Sequence, residues 1–301
     1  MKRYFITFGA GNFSKRVKIL EKQAKEVNWF DDVIIETPET ISSFIDEHKG
    51  HFKNKRGFGY YLWKPYIILR QLEKMSDGDL LFYTDSGATI LPHRKNRFIE
   101  YVNLLESSDT PILTFPIPSN PKSTCYKTSL LKRFNLEGNN YFLESDQIES
   151  GVLCLRKCQY SINIIKEWLD VMIEDNYIYS TDELLYEEQL KNFTSYRHDQ
   201  SVLCIICKYN SAHEMLSEAY GSGPFFSSRL TDSGPREFAP DFFRGEPDYL
   251  PGVHHLVEDW LKDKPKNWWK FENDYNPNIH LKEWDYVLWR AKIDNYQNHE
   301  K

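Results

Sequence analysis

Short apolar runs alternate along the chain with longer segments in which apolar residues recur at helical spacing. The runs typical of strands are RYFITFG, DVIIE, LLFYT, PILTFPI and GVLCLR. The segments that predict helices are residues 13–27, 38–51, 65–75, 160–174 and 199–209. Because strands and helices alternate, the pattern predicts an α/β fold with a mainly parallel sheet and helices on both faces.

One of these apolar runs ends in an acid. LLFYT is followed by Asp85, Ser86 and Gly87, and a run that is apolar throughout is typical of a strand covered on both faces. Residues that follow such a strand lie at the carboxyl edge of the sheet, where ligands bind in α/β proteins. Since carboxylates are good ligands for hard divalent cations, the sequence predicts a binding site around Asp85.

Composition and charge exclude several classes of protein. The chain has 301 residues and 41% hydrophobic content, which is enough for one large α/β domain or two smaller ones. A net charge of −6 argues against a broad basic surface for nucleic acid, so we predict no nucleic-acid partner. No run approaches the roughly 20 apolar residues of a membrane span, and the first apolar run is short for a signal peptide. An odd number of cysteines, five, favours reduced thiols, and we predict a cytoplasmic protein.

The first predicted helix is rich in basic residues, which are Lys15, Arg16, Lys18, Lys22 and Lys25. Such a face would suit an anionic membrane surface or a lipid-linked pyrophosphate, and a solvated charged face gives the same pattern. Peripheral membrane contact is therefore an expectation for this helix.

The turn after the first strand leaves two further interpretations open. Gly9 and Gly11, followed by Ser14, match the dinucleotide-binding pattern except at its third glycine, and Glu36 ends the next strand where a ribose-binding acid would stand. An NAD(P)-dependent Rossmann enzyme is thus one alternative. A tight turn that merely requires glycine is the other.

Two segments resemble nucleotide-sugar glycosyltransferases of the GT-A fold: GYYLWKP, before the third strand, and YTDSG, at its end. Retaining α-galactosyltransferases and glycogenin also have a small-residue-plus-glycine strand and, later, a helix that opens with Asp-Gln. The sequence ESG at residues 149–151 and the pair Asp199-Gln200 are similar to these elements. The resemblance covers roughly Arg3 to His255 and implies a Rossmann-like GT-A sheet.

The resemblance also implies an activity, in which a sugar passes from a nucleotide donor, UDP-linked, to a glycan or lipid-linked glycan acceptor. Mn²⁺ or Mg²⁺ would assist, with Asp85 and one of the adjacent pair His254 and His255 as ligands. The implied donor-binding residues are Thr7, Phe8, Gly9, Arg56, Trp63, Lys64, Ser86 and Gly87. The implied catalytic residues are Asp146, Glu149, Asp199 and Gln200.

Physical chemistry supports some of these roles and leaves alternatives at others. A fixed cation such as Lys64 or Arg56 would stabilise a departing diphosphate. The rings of Tyr60, Tyr61 and Trp63 are suited either to stack on a base or sugar or to fill the core. An aspartate at a helix start, as at position 199, is also a common cap.

Two regions are expected from the sequence: a catalytic domain over residues 1–255 and a C-terminal helical segment over residues 256–301, packed on that domain. The segment is aromatic, with Trp260, Trp268, Trp269, Trp284 and Trp289. Residues 218–237 are rich in Gly, Ser and Pro and predict a loop that closes over a ligand. A non-catalytic glycan-binding relative is a further alternative.

Overall fold

A computed structural model describes residues 1–235, with gaps at 108, 110, 118–124, 185–187, 211, 215–222, 228–229 and 232–233. His254, His255, the expected domain boundary at residue 255 and the aromatic segment 256–301 lie outside the described residues. The loop expected over residues 218–237 is described only in part.

The strands confirm the mainly parallel sheet that the sequence predicts. In chain order they are β1 (Arg3–Phe8), β2 (Asp32–Glu36), β3 (Leu80–Thr84), β4 (Thr89–Ile90), β5 (Ile112–Thr114), β6 (Pro116–Ile117), β7 (Gln147–Ile148), β8 (Val152–Arg156), β9 (His213–Glu214), β10 (Phe225–Phe226), β11 (Leu230–Thr231) and β12 (Gly234–Pro235). In the described part of the chain, six of them form a central sheet in the order β2-β1-β3-β8-β5-β9. Every central strand runs parallel to β1 except β8, which is antiparallel to both β3 and β5.

Four of the five predicted helical segments form single helices, and the described chain also contains helices that the sequence analysis did not predict, the longest of them α5. The helices are α1 (Arg16–Glu26), α2 (Ser42–Glu47), α3 (Gly57–Tyr60, a single left-handed turn), α4 (Trp63–Lys74), α5 (Lys95–Ser107), α6 (Thr128–Arg133), α7 (Asn140–Glu144), α8 (Gln159–Tyr177, kinked at Glu174–Asn176) and α9 (Asp199–Tyr209). The helix predicted over residues 38–51 is wrong as a single element, since only α2 and two flanking 3-10 turns form there. The break after Glu47 is close to Gly50, and glycine is a weak helix former.

Two hydrophobic layers cover the sheet. Side chains alternate along each strand, so Ile6, Leu81 and Leu153 face α4, α8 and α9 on one side. Phe5 and Phe82 face α1 and α5 on the other side. Helices therefore lie on both faces, and the residues at the strand ends remain at the carboxyl edge of the sheet.

Helix α1 does not present the continuous basic face that the sequence suggested. Arg16 is only 1% exposed and lies against the sheet, so its inclusion in that face was wrong. Lys22 and Lys25 form ion pairs with Glu26 and Glu21, at 3.3 and 2.5 Å. None of the helices in the described part of the chain is both long and apolar enough to cross a membrane.

Candidate active site

Asp85 lies where β3 ends. Its backbone N–H donates a hydrogen bond to the carbonyl of Gly151, at 2.8 Å, so the neighbouring strand β8 fixes its position. Its Oδ1 accepts a hydrogen bond from the hydroxyl of Tyr83, a side chain buried in β3. The Asp85 side chain is 46% exposed, and the sheet therefore holds a carboxylate at its edge in reach of a ligand.

Lys64 in α4 is the cation of the site. Its Nζ lies 2.7 Å from Oδ2 of Asp199 and 3.2 Å from Oδ1 of Asp85, and it also lies 3.3 Å from the carbonyl and the hydroxyl of Ser150. The side chain is 1% exposed. Burial by itself lowers the pKa of Lys64, but the carboxylates of Asp199 and Asp85 outweigh it and raise the pKa above its usual value. Lys64 is therefore charged and joins the two acids.

Asp199 is the first residue of α9, and its side chain does not cap the helix. The residue at the cap position is His198, and the described structure shows no side-chain cap there. Instead the Asp199 carboxylate is buried against Lys64, while its backbone carbonyl accepts a hydrogen bond from the indole of Trp168, at 3.0 Å. This geometry argues against the routine cap, and a catalytic role for Asp199 stays a prediction.

Glu149 is the third acid near this point. Its Oε1 accepts a hydrogen bond from Ser227, at 2.5 Å, and the carboxylate is buried. A Cβ atom placed on Gly151 would lie 2.9 Å from Oε1 of Glu149 and 3.2 Å from Oδ2 of Asp85. The two carboxylates thus converge on the space beside Gly151, which only a glycine leaves open.

The contacts given for Asp146 and Gln200 are with residues other than Lys64. The Asp146 carbonyl contacts Lys208 and Cys204, more than one helical turn along α9 from Asp199. Gln200 donates a hydrogen bond from Nε2 to Gln147, at 3.3 Å. The structure therefore does not place the Asp146 backbone beside Lys64.

Three of the predicted donor-binding side chains have partners within the protein. The ring of Trp63 is 6% exposed, stacks on Phe8 with centroids 4.1 Å apart, and donates from Nε1 to the carbonyl of Gly57. Arg56 is exposed and pairs with Asp182, at 3.2 Å. Direct contact of these side chains with a donor stays a prediction.

The other predicted donor-binding residues lie at the ends of β1 and β3. Thr7 and Ser86 are buried, and Gly87 lies in the turn closed by a hydrogen bond from the Ala88 N–H to the Asp85 carbonyl, at 2.9 Å. At Gly9, a Cβ atom would lie 2.5 Å from a methyl carbon of Val17. Gly9 is therefore required for the close approach of α1 to β1, whatever it contacts in a complex.

Glu36, the acid of the dinucleotide alternative, is already paired. Its Oε1 lies 2.5 Å from Arg70, its Oε2 accepts a hydrogen bond from Thr40, and its side chain is buried. A ribose-binding acid needs an accessible carboxylate, so this pairing disfavours the dinucleotide-binding hypothesis.

Sequence reasoning missed the residues of α1 that support the site. Arg16 donates hydrogen bonds to the Ala88 carbonyl and, at 3.2 Å, to the Thr89 hydroxyl. Gln23 accepts one from the Ile90 N–H, at 3.3 Å. A signal was present, because both share the helical stripe of the buried residues Val17, Leu20 and Ala24.

A metal site at Asp85 stays a prediction in the described part of the chain. Oxygens of Asp85 and Glu149 beside Gly151 are of the type that Mg²⁺ and Mn²⁺ prefer. Within the described ranges, no group of three or more His, Cys, Asp or Glu is arranged to hold a metal ion. Further ligands would have to come from elsewhere, and the predicted ones, His254 and His255, lie outside those ranges.

Comparisons with known proteins give low-level similarities only. No protein-family model and no curated protein matches the sequence. Among solved structures, a glycosyltransferase involved in the glycosylation of the major capsid of PBCV-1 is 12% identical with a TM-score of 0.44, over 73% of this chain and 84% of that chain. Mouse xyloside xylosyltransferase 1 is 11% identical with a TM-score of 0.42, over 73% and 86%. Mannose-6-phosphate isomerase from Helicobacter pylori is 14% identical with a TM-score of 0.32, over 57% and 75%. These values do not define an activity for the chain.

Proposed function

We propose that the chain is a glycosyltransferase that moves a sugar from a nucleotide donor, UDP-linked, to a glycan or lipid-linked glycan acceptor. The observation that carries the proposal is the Lys64 bridge, which joins an acid at a strand end, Asp85, to an acid at a helix start, Asp199. These residues are far apart in sequence and meet at the carboxyl edge of the sheet, where α/β proteins bind ligands.

The charges of the site favour a divalent cation in the complex. Asp85, Glu149 and Asp199 contribute three carboxylates, and Lys64 contributes one ammonium within the same cluster. A nucleotide diphosphate is itself an anion, so it would be repelled unless a further cation were present. Mn²⁺ or Mg²⁺ held by Asp85 and Glu149, with His254 or His255, would supply that charge and neutralise the diphosphate.

Asp199 is the group that we place beside the reacting sugar. Its carboxylate has a fixed direction because Lys64 holds it at 2.7 Å and the Trp168 indole holds its backbone. A fixed carboxylate stabilises positive charge at the anomeric carbon or orients an acceptor hydroxyl. Glu149, Gln200 and Asp146 remain proposals as partners in this chemistry, with Glu149 or Asp146 as the base if the configuration inverts.

Lys64 has a role within the protein in addition to its predicted contact with the diphosphate. Since its ammonium is buried between two acids, it fixes the negative groups of the site before a ligand binds. Contact with phosphate, a cytoplasmic location and contact of α1 with a membrane surface stay predictions.

A thermal-shift screen tests the proposal. UDP, GDP and NAD are each added with and without Mn²⁺, because a ligand that binds only the native state raises its melting temperature. We expect a shift with UDP that requires Mn²⁺ and that Asp85→Asn abolishes. The control is Asp77→Asn, at the opposite end of β3, which should keep the shift.

Other outcomes contradict the proposal. A shift with NAD alone would support the dinucleotide alternative, and no shift with any of the three nucleotides would favour a non-catalytic glycan-binding relative. An equal UDP shift in the parent and in Asp85→Asn would overturn the metal assignment.

A further inference from the structure

The segment before α4 forms a left-handed turn of five residues. Gly57, Phe58, Gly59, Tyr60 and Tyr61 have φ values of 56°, 52°, 78°, 50° and 65°. Hydrogen bonds of helical spacing close the turn: the Tyr60 N–H donates to the Arg56 carbonyl at 2.8 Å, and the Tyr61 N–H donates to Gly57 at 3.1 Å. Consecutive left-handed residues with side chains are unfavourable and occur where the surrounding structure holds them, often at functional sites.

The two glycines allow the turn to close. A Cβ atom on Gly57 would lie 2.5 Å from the ring of Tyr61, and one on Gly59 would lie 2.8 Å from the ring of Phe52. The backbone of Gly57 is therefore the surface against which the Tyr61 ring rests. The turn fixes the direction of this ring and not only the path of the chain.

The Tyr61 ring is directed toward the acid-lysine cluster. Its centroid lies 5.3 Å from Nζ of Lys64 and 6.3 Å from the ring of His198, the residue before Asp199. The rings of Trp63 and Tyr83 also surround the Lys64 ammonium, but both are buried, whereas Tyr61 is partly exposed. Of these three residues, only Tyr61 keeps the exposed surface that contact with a ligand requires.

We infer that Tyr61 contacts the sugar of a nucleotide-sugar donor and that the left-handed turn is the device that positions it. The inference rests on the proposed function and deepens it by assigning the sugar subsite. The C–H surface of a pyranose packs well against an aromatic face, and the Lys64 and Asp199 side of the site is where the reacting sugar is placed. Tyr61 is thereby a specificity-determining residue for the sugar rather than for the nucleotide.

Binding measurements with and without the sugar test the inference. Calorimetry in the presence of Mn²⁺ first measures the affinity of the parent protein for UDP, UDP-glucose, UDP-galactose and UDP-N-acetylglucosamine. The UDP-sugar that the parent binds most tightly is then compared with UDP in each variant. We expect Tyr61→Ala to weaken binding of the UDP-sugar about tenfold while UDP binding changes by less than about twofold. Tyr61→Phe keeps the ring and should leave both affinities near the parent values.

A pair of glycine variants separates the ring from the backbone. Gly57→Ala displaces the Tyr61 ring, so it should reproduce the loss of sugar affinity. Gly78→Ala is the control, because Gly78 also has positive φ, 89°, but no atom lies within 4 Å of its added Cβ. It should lose some stability and keep the preference for the UDP-sugar. This pair also covers the case in which Tyr61→Ala fails to fold.

The possible outcomes test the role of Tyr61 separately from the proposed glycosyltransferase function. Equal weakening of UDP and UDP-sugar by Tyr61→Ala, or no weakening of either, would overturn the inference and leave the glycosyltransferase proposal in place. Parent protein that binds no nucleotide and no nucleotide sugar would contradict the proposed function and, with it, the sugar subsite.

Discussion

Lys64 carries a buried positive charge between two carboxylates, at 2.7 and 3.2 Å. Such a group is stable only while its partners remain, since an uncompensated buried charge is strongly unfavourable. Replacing the lysine by an uncharged chain of similar length leaves Asp199 buried without its cation. We therefore expect Lys64 to contribute to the stability of the fold as well as to the proposed site.

Lys64→Met is expected to lower the free energy of unfolding by about 3–5 kcal/mol. The matched control is Lys157→Met, which removes a surface pair with the exposed Asp77 and should cost about 1 kcal/mol or less. Urea unfolding of both variants measures the difference. Equal, small losses in the two variants would show that the buried bridge contributes nothing to stability.

Gly151 keeps open the space that the Asp85 and Glu149 carboxylates share. The methyl group of Gly151→Ala would lie 2.9 Å from Glu149 and 3.2 Å from Asp85, so we expect the acids to separate and the Mn²⁺-dependent UDP shift to disappear. Gly138→Ala serves as the control, because nothing lies within 4 Å of its added Cβ. A full UDP shift in Gly151→Ala would remove this pair of acids from the metal hypothesis.

At the scale of elements, the sequence predicted several parts from local pattern and missed α5, although its buried residues Phe98, Tyr101 and Leu105 recur at helical spacing. Helix α9 begins and ends at the predicted residues, and β3 is the apolar run before Asp85. The prediction of one helix over residues 38–51 was wrong, because apolar residues at helical spacing were given more weight than the low helix propensity of Gly50. The buried Arg16 was misassigned because charge was given more weight than its place on the apolar stripe of α1.

The buried His51, in the 3-10 turn over His51–Lys53, predicts a pH dependence of folding stability. His51 stacks on Tyr177 with centroids 4.3 Å apart, and burial lowers its pKa to about 4 from 6.5. The unfolded chain therefore binds a proton more readily between those values, so the free energy of unfolding falls as pH decreases from 6.5 toward 4. Above pH 6.5 the histidine is neutral in both states and contributes no slope.

His51→Phe should flatten this dependence, because phenylalanine has no group to protonate. Thermal unfolding from pH 4 to 7 compares the melting temperatures of parent and variant, and we expect their difference to grow toward low pH. A constant difference across the range would mean that His51 does not titrate between the two states.

At the scale of the whole molecule, the site results from long-range convergence. The antiparallel strand β8 brings Gly151 against Asp85, and α9 brings Asp199 to Lys64. The sequence predicted that each of these segments exists, and motif resemblance grouped their residues. It could not predict the direction of β8 or the ion pairs, because these depend on how distant segments pack.

The same packing determines which of the predicted site residues lie close together. Asp85, Lys64, Glu149 and Asp199 come together at one edge of the sheet, whereas Arg56 pairs with Asp182. Their assignment to chemistry is a proposal that depends on Asp199 acting on a sugar.

The most direct test is the rate at which sugar is released from a UDP-sugar by Asp199→Asn, at saturating donor and Mn²⁺. Asparagine keeps the shape of the aspartate side chain but removes the negative charge that pairs with Lys64. Circular dichroism therefore first establishes that the variant is folded. Asp170→Asn, which alters a surface pair with Lys166, is the control and should keep the parent rate. We expect the parent to release sugar and Asp199→Asn to do so about a hundredfold more slowly. The parent rate in folded Asp199→Asn, or no release of sugar by the parent from any UDP-sugar, would contradict the assignment.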